Sequence, residues 1–199
     1  MLDLNEFAQD VHAVSVEHGW WEGEDNNDID TKIALIHSEW SEALEEYRAG
    51  RPMVWYKCRE GGEVAPVCVE NACAAWANGD CDICSRDKKP EGIAVELVDG
   101  VIRIIDLMAA KEMMAADLGY FSYGECTLPH LVAALHSFVS LAGIALYAHK
   151  IDEAEASLNR CIYWTFHWLK AQGVDMDELM RLKHEYNKTR SYRHGGKRC

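Results

Sequence analysis

The chain has 199 residues, 49% hydrophobic and 27% charged, enough for one domain (residues 1–199) with a full core. Its formal net charge of −13 argues against a protein that coats nucleic acid or lies on an anionic membrane. No run approaches the roughly 18 apolar residues of a membrane span, and the N-terminus lacks the basic and apolar regions of a signal peptide, so neither is expected. Eight cysteines without a secretion signal point to reduced thiols or metal ligands in a cytoplasmic setting.

Residues 2–17 place Leu4, Phe7, Val11 and Val14 at helical spacing, which predicts an amphipathic helix ending near Gly19. A polar loop follows, with Trp20 and Trp21 at its start and Asp28 or Asp30 as a helix cap. Paired tryptophans are ordinarily core or interface residues; beside a metal site they stack on a nucleobase. Residues 31–50 form the next helix. Its apolar stripe is Ile33, Ile36, Trp40, Ala43, Leu44 and Tyr47, flanked on one side by Glu39, Glu42 and Glu46.

Residues 51–90 break the pattern. This stretch is rich in Gly, Cys and polar residues and is expected to be a loop insertion. Cys81 and Cys84 make a CxxC knuckle, with Cys68 and Cys73, or Cys58, as the other half of a structural Zn²⁺ site. Free thiols or an adventitious disulfide are the competing accounts.

Residues 92–111, GIAVELVDGVIRIIDLMAAK, are the centre of the chain. Nearly the whole helical circumference is apolar, leaving one stripe with Glu96, Asp99, Arg103 and Asp106. A helix hydrophobic all round is buried, and its carboxylates must find a cation, a hydrogen-bond network or a metal. Glu96 and Asp99 are i,i+3 neighbours. Packed against Glu39 and Glu42 they would make a four-carboxylate site, whose oxygen ligands suit Mg²⁺ or Mn²⁺. A solvated acidic face, or a structural ion pair with Arg103, is the plainer alternative.

Residues 118–125 are expected to be a turn region. Two helices follow over 128–150 and 152–172, the second stopped by Gly173. His130, His136, His149 and His167 on them are expected to be satisfied or surface histidines. The last segment starts as a helix capped by Asp175 or Asp177 and continues as a basic tail over 183–199. That tail is either solvated or a phosphate-binding arm.

Together HSEWSEALEEYRAG, KPEGIAVELVDGVIRIIDLMA and KHEYNKTRSYRHGGKRC resemble the MazG-like branch of the all-α nucleoside triphosphate pyrophosphohydrolases. The ExxE and ExxD motifs are Glu39/Glu42 and Glu96/Asp99, followed by Arg103. The terminal cluster corresponds to Lys183, Tyr186, Asn187 and Arg190, then His194 and Lys197. The gap between the motifs is longer than in the family, and the Cys-rich insertion accounts for it. The resemblance implies an all-α helical bundle with a metal-binding helix pair. It implies Mg²⁺-dependent cleavage of a nucleoside triphosphate to monophosphate and pyrophosphate, in a homodimer or homotetramer. Glu39 and Glu42 would be catalytic; Lys183, Tyr186, Asn187, Arg190 and Lys197 would hold phosphates, and Trp20 or Trp21 the base. Two other readings compete: a zinc-stapled helical interaction protein, and a carboxylate-bridged di-metal oxidase, for which the Glu-x-x-His pairs are lacking.

Overall fold

In a computed structural model the described residues are 2–23, 28–60, 63–68, 89–116 and 126–196. They are mostly helical. Helices α1 (Leu4–Glu17) and α2 (Ile29–Arg48) are followed by strands β1 (Trp55–Glu60), β2 (Glu63–Cys68) and β3 (Pro90–Glu91). Then come α3 (Ile93–Ala110), α4 (Leu128–Tyr147), α5 (Ile151–Ala171) and α6 (Met176–Lys188), and a short turn α7 (Arg193–Gly196). Three of the helices start on aspartates: Asp3 accepts from the amides of Asn5 and Glu6, Asp28 from Thr31, and Asp175 from Glu178.

Helix α3 is the axis of the fold, with α1, α2, α5 and α6 packed around it. Its apolar circumference, including Val95, Leu97, Val98, Val101, Ile104, Ile105 and Leu107, is buried. It has no side-chain cap. Instead its first amides, Ile93 and Ala94, donate to the carbonyls of Pro52 and Met53 at 3.4 and 2.9 Å. Gly92 makes that junction possible with φ 116°, and a Cβ there would lie 2.7 and 2.8 Å from the same two carbonyl oxygens.

Helix α4 lies in an outer layer, packed on α2 and α5. It is long and apolar enough by length and composition to cross a membrane, with mean hydropathy 1.6, although no uninterrupted apolar run suggested one. Leu131, Leu135, Val139 and Ala142 are nevertheless buried against the other helices as core residues.

The expectation of a loop over 51–90 needs correcting where the residues are described, at 55–60, 63–68 and 90–91; residues 69–88 lie outside them. β1 and β2 form an antiparallel hairpin, β3 returns antiparallel to β1, and the sheet order is β2-β1-β3. The strands are too short for periodicity to reveal. Gly61–Gly62 between two short runs was the available hairpin signal. Cys58 falls on β1 and Cys68 ends β2, whereas Cys73, Cys81 and Cys84, with most of the zinc expectation, lie outside the described residues. So does the expected turn over 118–125.

Two glycines within helices make opposite predictions. A Cβ on Gly100 would lie 2.7 Å from Trp40 Cδ1, and nearer still to Nε1, in a fully buried contact between α2 and α3. Gly100→Ala is expected to lower stability by about 1–3 kcal/mol through overpacking. A Cβ on Gly143 meets only Ile33 atoms at 3.6–3.9 Å, so Gly143→Ala is expected to be neutral or stabilising by up to roughly 1 kcal/mol. Urea denaturation of the two variants checks both signs.

Candidate metal and phosphate site

Each carboxylate comes from a helix that has little freedom to move. Glu39 projects from α2 between buried Ile36 and Trp40, and Glu96 and Asp99 share the stripe of α3. Antiparallel packing of α2 on α3 brings one oxygen of each of the three to within 4.8 Å of the others. Glu39 and Glu96 are buried and Asp99 is nearly so.

Two cations answer this cluster. Arg103 Nε donates to Glu39 Oε1 at 2.5 Å, and Lys183 Nζ contacts Asp99 Oδ2 at 2.7 Å. Lys183 is only 2% exposed, on α6 rather than on a flexible tail. Its stem is core and its head pairs with Asp99 while lining the cleft, so it reaches the site from a packed helix. The Glu96 carboxylate makes no hydrogen bond or ion pair among the described residues. Burial, with Asp99 beside it, pushes its pKa up to about 8. Burial and the neighbouring Glu39 also push the Asp99 carboxyl up, against the pull of Lys183.

The cluster opens into a cleft of about 350 Å³. One end holds Glu42, Lys89 and Glu96; the other holds Lys32, Asp106 and Trp20 against an apolar wall of Val11, Val14, Leu35 and Ile102. Glu42 lies outside the tight triad. It is exposed on the cleft wall and accepts a hydrogen bond from Ser38 Oγ at 3.1 Å. Asn187 and Arg190 line the cleft. The Arg190 guanidinium has no hydrogen bond or ion pair among the described residues, and burial holds it below its ordinary range. Tyr186 stands behind Lys183, its ring 5.9 Å from Nζ, and does not line the cleft. Lys197 lies outside the described residues.

Several cleft residues escaped sequence reasoning. Lys89 arrives from the end of the Cys-rich insertion and pairs with Glu91 at 2.9 Å. His18 contacts the carbonyls of Val14 and Arg190, each at 2.8 Å, tying α1 to the C-terminal segment. His184, buried beside Phe7, pairs with Asp10 at 2.9 Å. Lys89 and His184 fall within the motif-bearing segments but were not singled out in them; the packing of α1, α3 and α6 shows their place in the cleft. The other histidines behave as expected: His130 stacks on Trp164, His136 on His37, and His167 meets Tyr163 and Phe166.

What the arrangement can do follows from its charges. A buried oxygen-only triad with two internal cations is short of positive charge, and a hard divalent ion fits that deficit. The raised Glu96 pKa has a stability consequence. The folded protein keeps a proton that the unfolded chain releases near pH 4.5, so this contribution is complete below that pH and is lost as pH rises towards 8. In metal-free protein Glu96→Gln should therefore melt increasingly above wild type between pH 5 and 8.5. The gap should reach several degrees, at roughly 2–4 °C per kcal/mol for a chain of this size. A gap that stays constant with pH would show Glu96 to be ionised in both states.

Comparison with known protein families, curated proteins and solved structures finds no match to this chain, so the site is interpreted from its own geometry.

Proposed function

We propose that the protein is a metal-dependent nucleoside triphosphate pyrophosphohydrolase of the MazG-like kind. The observation that carries this reading is Glu96, a buried carboxylate that has no direct ion pair among the described residues, beside two that have one, in a cleft also lined by Lys32, Lys89 and Arg190. Negative groups that hold a divalent ion, next to positive groups on the wall, suit a polyanion bound through metal and side chains together. A structural salt-bridge network would account for Glu39–Arg103 and Asp99–Lys183, but not for Glu96.

In this mechanism Glu39, Glu96 and Asp99 would hold Mg²⁺ or Mn²⁺. Such an ion, when bound, would supply Lewis-acid charge. Arg190 and Lys89 draw the phosphate chain along the cleft. Glu42, at the solvent edge, orients a water and accepts its proton as the α-phosphorus is attacked. Water's oxygen bonds to that phosphorus, the α–β bridging bond breaks, and pyrophosphate leaves with the bond's electrons. The end with Trp20 receives the base. The zinc site of Cys68, Cys73, Cys81 and Cys84, or Cys58, is proposed on spacing alone.

We also propose a homo-oligomer, joined through α4. This helix has no Asp, Glu, Lys or Arg, yet Leu141, Ile144 and Tyr147 are exposed, Ile144 to 65%. Copies of a chain with charge −13 repel, and a symmetric contact sets a patch against itself; a patch whose own residues carry no charge, bordered by Asp30 where it accepts from the Tyr147 hydroxyl, meets its copy with less of that repulsion.

Two outcomes are expected. With Mg²⁺, Glu96→Gln should lower pyrophosphate release by about 100-fold or more without loss of folding, because no internal cation is stranded. Asp99→Asn should lose activity and also stability, since it strands buried Lys183. Full activity in a folded Glu96→Gln variant would end the hydrolase reading. Ile144→Asp should convert a light-scattering dimer or larger species to monomer; a wild-type monomer at micromolar concentration would contradict the interface.

A further inference from the structure

Asp106 lies seven residues beyond Asp99 on the stripe of α3, about 10 Å further along the helix. It is 8% exposed and lines the aromatic end of the cleft. No part of the proposed chemistry uses it. A buried carboxylate on an apolar helix needs partners, and Asp106 takes them from the α1 side. His12 Nδ1 contacts Oδ1 at 2.7 Å, and Trp21 Nε1 donates to Oδ1 and Oδ2 at 3.0 and 3.1 Å.

Trp21 is occupied on a second side. Lys32 Nζ, from buried Lys32 on α2, lies 3.8 Å from the centre of the Trp21 ring. The same Nζ donates to the Trp20 carbonyl at 2.7 Å. Asp106, Trp21, Lys32 and the Trp20 backbone thus form a continuous connection from the centre of the bundle to the rim of the cleft. At its end the Trp20 ring lines the cleft and meets His194 edge-on, with centroids 4.7 Å apart.

We propose that Asp106 is a positioning residue for nucleobase recognition: through Trp21 and Lys32 it fixes Trp20 as the platform on which the base stacks, at a set distance from the carboxylate triad. The proposal rests on the triphosphate reading and deepens it. It divides the two tryptophans, which the sequence leaves equivalent. Trp21 has its N–H and a ring face engaged and acts as a strut; Trp20 presents its ring to the cleft. A directional hydrogen bond and a cation over the ring set both tilt and depth, which apolar packing alone would leave freer. The strut acts on the base and not on the phosphates, so its loss should separate the two.

The test is calorimetric binding, with Mg²⁺, of the four α,β-methylene deoxynucleoside triphosphates and of inorganic tripolyphosphate. Asp106→Ala and Trp21→Phe should each weaken the best-binding nucleotide analogue about tenfold, as for one lost hydrogen bond to a charged group. Tripolyphosphate affinity should stay within about twofold, inside ordinary mutational scatter. The double variant should be no weaker than either single one, because both remove the same connection. Trp21→Phe keeps the ring, so it carries the test if Asp106→Ala does not fold. Equal loss for both ligands, or unchanged nucleotide affinity, overturns the proposal. So does a wild type that binds tripolyphosphate as tightly as any nucleotide analogue, or that binds neither. Wild type that binds the analogues strongly but releases no pyrophosphate from natural triphosphates supports the strut and overturns the hydrolase reading.

Discussion

The repulsion among Glu39, Glu96 and Asp99 is the constraint to which the surrounding structure responds. Three carboxylate oxygens within 4.8 Å of each other in a largely dehydrated helical core repel far more strongly than they would in water. Arg103 relieves Glu39 from the same helix that carries Asp99. Lys183 relieves Asp99 from a separate one, so the ion pair also docks α6 on α3. Among the described residues Glu96 has no such partner, and burial with Asp99 beside it favours its protonated form. The metal-free protein is therefore a protonated state of a site whose deprotonated state calls for a cation.

That requirement explains the distribution of charge. In a chain with 33 acidic and 20 basic residues, Lys32, Lys89, Lys183, Arg103 and Arg190 converge on one cleft. They arrive from α2, from the end of the insertion, from α6, from α3 and from the segment after α6. The carboxylate triad lies in one part of the cleft, and Trp20 lines another together with Lys32 and Asp106. Such a division suits a ligand that is highly charged at one end and flat and aromatic at the other.

Much of this was legible in the sequence, where one helix had a single environment. Helix α3 was plain because its apolar circumference has no other use, and Glu96 with Asp99 stood out against it. Asp28 and Asp175 marked helix starts because capping is local chemistry. The burial of Lys183 and its pairing with Asp99 were not legible, because its neighbours in sequence are basic and polar whereas its surroundings in space are Asp99 and the core. Asp106 and Lys32 were invisible as parts of a site for the same reason: their partners, Trp21, His12 and the Trp20 carbonyl, come from other elements. The β1–β2 hairpin escaped because strands this short leave little periodicity, and the β1–β3 pairing because its partners lie more than thirty residues apart. Glu42, alike in sequence to Glu39, differs only in which side of α2 meets α3.

The central claim is that the triad is a divalent-metal centre. Anomalous diffraction from crystals grown with Mn²⁺ tests it most directly. The account predicts a peak within about 2.0–2.6 Å of oxygens from Glu39, Glu96 and Asp99, with Lys183 Nζ moved off Asp99. A cleft without an anomalous peak, its Lys183–Asp99 and Arg103–Glu39 pairs unchanged at saturating Mn²⁺, would contradict it.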